Sequence, residues 1–138
     1  MDVKGTREIL FRGKRIDNGE WVEGYFVNLW LIHYQKHQPI ITDNNAVSYD
    51  VDPSTVGQYT GLTDKNGKKI FEGDIIKRFW LGAEIIYCVR YDGEGAHFIG
   101  KAMNKSGFTT FDNDGEMFEV IGNIHDNPEL LEDFNKEV

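Results

Sequence analysis

One cysteine, three prolines and no apolar run long enough to span a bilayer mark this 138-residue chain by what it lacks. A lone thiol excludes an intramolecular disulfide framework. Cys88, set inside EIIYCVRY, reads as a small buried hydrophobe. Nowhere do about 18 apolar residues run together, so no transmembrane helix and no membrane partner are expected. The polar start MDVKGTRE has no apolar stretch of the kind a secretory signal needs, and the expectation is a soluble, cytoplasmic protein.

Ligand-bearing and nucleophilic patterns are equally scarce. His33 and His37 stand four apart, but neither HEXXH nor a cysteine pair accompanies them, and His97 and His125 are isolated. The stretch from Asp64 imitates the start of a calcium loop, yet its fifth position is Lys68 and its twelfth Ile75. A second imitation from Asp112 through Asp114 and Glu116 has Met117 where the loop needs glycine and Asn123 where it needs a bidentate acid. Both read as turns, and no metal or other cofactor is expected. Ser48, Ser54 and Ser106 lie in turn-like contexts without a GXSXG elbow. Gly93-Glu94-Gly95 is followed by neither a lysine nor a third glycine in phosphate-loop register. Asp74 in GDII has no acid, base or nucleophile partner and reads as a structural carboxylate that accepts backbone N–H groups of the preceding turn. An enzyme is not expected.

What the chain does have is β-strand punctuation. Asn18-Gly19 separates ILFRGKRI from EWVEGYFV, and Asn66-Gly67 separates GQYTGL from KKIF; this dipeptide readily takes the positive φ angles of a tight hairpin. Leu29 to Ile41 is apolar and aromatic, with a loop expected at Gln35 to Gln38 before Pro39; DNNAVSYDVDPST (Asp43 to Thr55) reads as loop and turn, with Asp52-Pro53-Ser54-Thr55 having the chemistry of a turn. From Asp74 onward DIIKRFW, EIIYCVRYD, AHFIGKAM, GFTTF and MFEVIGNI alternate with turn signals, five short strands that suit a small barrel. Asn127-Pro128-Glu129 opens the single clear helix: Asn127 can cap, Pro128 suits the first turn, and Leu130, Leu131 and Phe134 would face the body. The expected fold is mainly β. An N-terminal β segment (1–57) and a turn-and-hairpin connector (58–73) lead to a barrel (74–124) and a C-terminal helix or tail (125–138).

Three blocks, REILFRGKRIDNGEWVEGYF, VGQYTGLTDKNGKKIFEGDII and EVIGNIHDNPELL, resemble the YopX family of phage and prophage proteins. The resemblance implies a β-rich fold with an SH3-like C-terminal barrel and an accessory role in phage biology, but no particular biochemical activity. The residues that carry the motif are Gly57, Tyr59, Gly61, Asp64, Asn66, Gly67, Gly73, Asp74, Gly122, Asn123, Asn127 and Pro128. Phe71 and His125 stand where many relatives have tyrosine.

Charge narrows the partner classes. The chain carries 23 acids against 15 lysines and arginines, a net charge of −8. Asp112 to Val138 holds nine of those acids and one base, Lys136, so the rest balances fourteen against fourteen. The basic cluster Arg7, Arg12, Lys14 and Arg15 sits at the opposite end. The leading expectation is a non-catalytic module that binds a protein partner or itself. The alternatives are a nucleic-acid-binding barrel and, more remotely, a DNA mimic acting through the acidic end. Trp21, Trp30, Tyr59, Phe79 and Trp80 offer stacking faces, but they read first as core, and an acidic chain suits phosphate contacts poorly.

Overall fold

The computed structural model describes residues 8–111 and 115–135. It is mainly β, with ten strands and one short C-terminal helix among the described residues, and divides into two compact units after Tyr59. No helix among those residues is long and apolar enough to cross a membrane.

Unit one is built from β1 (Phe11–Arg15), β2 (Trp21–Leu31), β3 (Lys36–Thr42) and the first part of β4 (Ser48–Thr63). Each is antiparallel to the next, and β1 also pairs with β4, so the four strands close into a ring. Hairpin signals show the strands but not this closure. Gly13 is a close-packed point inside it: a Cβ there would lie 3.1 Å from Ile41 and 3.3 Å from Val51 and Val56. Ile41 and Val51 are fully buried.

Two expectations about loops in this unit are corrected. Lys36, His37 and Gln38 are strand rather than loop, paired with Leu31, Trp30 and Leu29, because the turn falls earlier, at residues 32–35. Cross-strand pairing with an apolar partner outweighs their polar composition. Ser48 to Thr55 is not loop but the first half of β4, paired with β3 and β1, and Asp52 to Thr55 does not reverse the chain but forms a bulge within it, where Lys14 pairs with Asp52 while Arg12 pairs with Gly57. The local bonds are those of a turn: Asp52 Oδ1 accepts from Ser54 N–H at 3.0 Å, and Thr55 Oγ1 donates to Asp52 C=O at 2.6 Å. Thr55 Oγ1 also accepts Lys14 N–H at 2.9 Å, and this contact holds the bulge to β1.

Unit two contains the rest of β4, β5 (Lys69–Phe71), which pairs with it, and the five-stranded antiparallel sheet expected after Asp74. The strands are β6 (Asp74–Trp80), β7 (Ala83–Asp92), β8 (His97–Ala102), β9 (Phe108–Thr110) and β10 (Glu119–Asn123), in the order β10-β6-β7-β8-β9. That is the order of an SH3-like barrel, a meander whose last strand returns beside its first. Ile70, Ile76, Ile85, Tyr87, Val89, Phe111 and Phe118 form its core, with Leu62, Phe98, Ala102 and Val120 packed on them. Burying such a set contributes roughly 1.5–3 kcal/mol per large side chain.

Helix α1 (Pro128–Asn135) follows β10. Asn127 serves it differently from a simple cap. Its Oδ1 accepts Asn123 N–H at 3.1 Å, back toward β10, while its main-chain carbonyl receives Leu130 N–H at 3.0 Å. Asn123 Oδ1 in turn accepts from His125 and Asp126 N–H at 2.9 and 2.8 Å. Gly122 makes room for this: a Cβ would lie 2.5 Å from Asn127 Oδ1. Leu130 and Leu131 are half-buried; the Phe134 side chain lies outside the described residues. Asn127→Ala is expected to cost about 1 kcal/mol through the lost strand-to-helix bond. Urea denaturation measures it, and unchanged stability would show that this bond does not hold the helix in place.

Candidate functional site

The motif residues resolve into two sets of turn contacts. Asp64, 3% exposed, is the centre of the first. Its Oδ1 accepts from Asn66 and Lys68 N–H at 2.8 and 2.9 Å, and its Oδ2 accepts from Val120 N–H at 2.9 Å, 56 residues away. One carboxylate therefore forms the Asn66-Gly67 hairpin and fastens it to β10. Burial alone would raise its pKa, but the Val120, Lys68 and Asn66 donors outweigh that and hold it below the usual carboxylate value. Asp74, also buried, accepts Phe71 N–H at 2.7 Å. Gly73 N–H donates to Val89 C=O at 2.9 Å, and its own carbonyl accepts Ile124 N–H at 3.0 Å, bringing the GDII and GNI segments together. Gly122, Asn123, Asn127 and Pro128 form the second set at the entry to α1. Gly57 and Tyr59 belong to unit one, where Tyr59 N–H donates to Leu10 C=O at 2.8 Å. Gly61 is exposed on β4.

Other sequence candidates stay apart. His33 lies in the β2–β3 turn, and His37 on β3 packs edge-on against Trp30 at 4.9 Å. His97 pairs with Asp92 at 3.3 Å. No group of three or more potential metal ligands occurs among the described residues. Cys88 is buried, and burial raises its pKa. Asp112 and Asp114, which open the second calcium-like stretch, and residues 136–138 of the acidic end lie outside the described part.

Several aromatic residues expected in the core are on the surface. Trp30 is 50% exposed, Phe79 69% and Trp80 47%, whereas Tyr59 is buried. Phe79 and Trp80 end β6, and the next residue, Leu81, is 89% exposed at φ +50° in the two-residue turn with Gly82. Asparagine or glycine suits that backbone, so a large exposed leucine there is a costly choice for the turn alone.

Beside this hairpin lies a groove of about 340 Å³ lined by Lys65, Lys77, Arg78, Phe79, Glu84, Met117 and Glu119. Its lysines are already neutralised: Lys65 pairs with Glu119 at 3.1 Å, and Lys77 lies 3.5 Å from Glu84 and 3.8 Å from Glu119. Arg78 is different. It follows Ile76 on the core-facing side of β6, and its guanidinium lies 5.0 Å from the Trp80 ring, 5.6 Å from Phe118 and 5.9 Å from Tyr87. Its Nε is buried and no acceptor among the described residues meets it. A buried donor left unmade costs about 1–3 kcal/mol. The sequence signal was the alternation Ile76, Arg78, Trp80, which puts a cation and an aromatic on the face of a core strand.

No curated protein matches the chain. Among solved structures, it is similar to the crystal structure of protein EF1440 from Enterococcus faecalis, at 25% sequence identity and a TM-score of 0.52, over 91% of this chain and 99% of that one. The family model of the YopX protein matches residues 10–132, nearly its whole length. That extent, which takes in the second and third motif blocks whole and the first from Leu10 onward, places the chain in the YopX family.

Proposed function

We propose that this YopX-family chain is a non-catalytic, cytoplasmic accessory module of a phage or prophage that binds a protein partner, and that the groove beside the β6–β7 hairpin is its contact surface. The observation that carries this reading is Arg78, whose buried Nε meets no acceptor among the described residues in a groove where both lysines have a carboxylate. The chemistry it suits is a partner segment with an acidic side chain next to an apolar one. The carboxylate meets Arg78, and the apolar side chain lies on Phe79, Leu81 and Met117, all largely exposed. Nucleic acid is disfavoured by Glu84 and Glu119 in the groove and by the net charge of −8.

A fluorescent Leu-Asp-Leu-Glu peptide is expected to bind, and Arg78→Ala to weaken it at least tenfold, the scale of one charge-assisted contact. The same peptide with Asn and Gln in place of its acids is expected not to bind. Anisotropy titration reads both. Equal binding of the amide peptide, or tighter binding of a single-stranded oligonucleotide, would overturn the reading.

A further inference from the structure

The outer edge of β2 supplies an independent surface in unit one. From Trp21 to Gly24 this strand is covered by β1, whose pairing ends at Phe11 opposite Gly24. From Tyr25 to Leu31 β2 pairs only with β3, and no strand among the described residues pairs with its other side. A row of unpaired N–H and C=O groups is a template for another strand.

The two edges of this ribbon are treated differently by the sequence. The outer edge of β3 carries Lys36 and Pro39, a charge and a residue without N–H, which are common protections against pairing. The corresponding stretch of β2, Tyr25-Phe26-Val27-Asn28-Leu29-Trp30-Leu31, has neither charge nor proline. Tyr25, Val27, Leu29 and Trp30 are 43–68% exposed. Between Glu23 and Asp43 there is no carboxylate, although the chain has 23 acids. Along this stretch two copies of a strongly acidic chain could meet without acid facing acid.

We infer that the Tyr25–Leu31 edge pairs with the same edge of a second copy, antiparallel about a two-fold axis at Asn28. In that register Tyr25 faces Leu31, Phe26 faces Trp30 and Val27 faces Leu29 of the other copy, while Asn28 faces itself. Each apolar side chain meets an apolar one, and the single polar position can hydrogen-bond its own mate. Two two-stranded ribbons become one four-stranded sheet.

Light scattering across protein concentration is expected to show a dimer, twice the 15.9 kDa chain. Leu29→Lys should raise the dimer dissociation constant at least a hundredfold while leaving the circular dichroism spectrum and binding of the acidic peptide unchanged. Asn28→Cys should cross-link into a covalent dimer with oxidised glutathione, and Tyr34→Cys at the ribbon tip should not. A wild-type monomer at about 100 μM, roughly the weak end of useful association, would overturn the inference. So would a dimer that Leu29→Lys leaves intact or that links equally through position 34.

Discussion

Asp64→Asn is expected to lower stability by about 3 kcal/mol, a loss of roughly 10 °C in Tm for a chain of this size. The asparagine keeps an oxygen for Asn66 and Lys68 N–H, but it turns an NH2 group toward Val120 N–H, donor against donor in a site only 3% exposed. The cost combines a lost charge-assisted bond with a buried donor left unmade. A pH signature goes with it. The folded-state pKa of Asp64 is depressed, so its contribution is fully present above the unfolded carboxylate value and is lost as pH falls through the folded one. Urea melts at pH 7 and in steps toward pH 3 should show the gap between wild type and variant narrowing on acidification. A gap that stays constant would mean that the ionised carboxylate is not what holds the turn to β10.

Gly24→Ala is expected to cost about 3 kcal/mol by overpacking. A Cβ at this position would lie 2.0 Å from the Thr42 carbonyl oxygen and 2.7 Å from its carbon, and main chain cannot swing aside as a flexible side chain can. Gly24 is also the point where β1 stops covering β2, so relieving the clash would loosen the ring of unit one. Gly93→Ala is the control, since nothing lies within 4 Å of its Cβ position and its φ is not positive. It should change stability by less than about 0.5 kcal/mol. Similar losses in both variants, measured by denaturant melts, would show that losing a glycine, rather than the space around Gly24, decides the effect.

The sequence made local structure legible and left closure and exposure hidden. Asn18-Gly19 and Asn66-Gly67 mark real hairpins because the dipeptide's backbone preference is local. The five strands after Asp74 were readable for the same reason, since each is bounded by its own turn chemistry. The pairing of β1 with β4 was not, because it joins Phe11 to Gln58 and no short-range pattern records it. Gly24 looked like an ordinary residue in EWVEGYFV; only the approach of Thr42 gives it a role. Lys36 to Gln38 have the polar composition of a loop, and only the partner strand β2 makes them β.

The candidate site shows the same division. Asp64 and Asp74 could be read as turn carboxylates, but the bond from Asp64 to Val120 spans the unit and needed the fold. Phe79 and Trp80 read as core because an aromatic in a strand usually is; at the end of β6 the strand outruns its covering layer. Nothing in DIIKRFW singles out Arg78, since the absence of an acceptor for its Nε among the described residues depends on where Glu84 and Glu119 point.

The most direct measurement of the binding account is the Arg78 Nε–Hε resonance in a 15N-labelled sample, assigned by its loss in Arg78→Lys and followed during titration with the Leu-Asp-Leu-Glu peptide. This resonance is expected to shift in a saturable manner with the acidic peptide and to stay in place with its amide counterpart. A resonance that does not move with the acidic peptide, or that moves with an oligonucleotide instead, would contradict it.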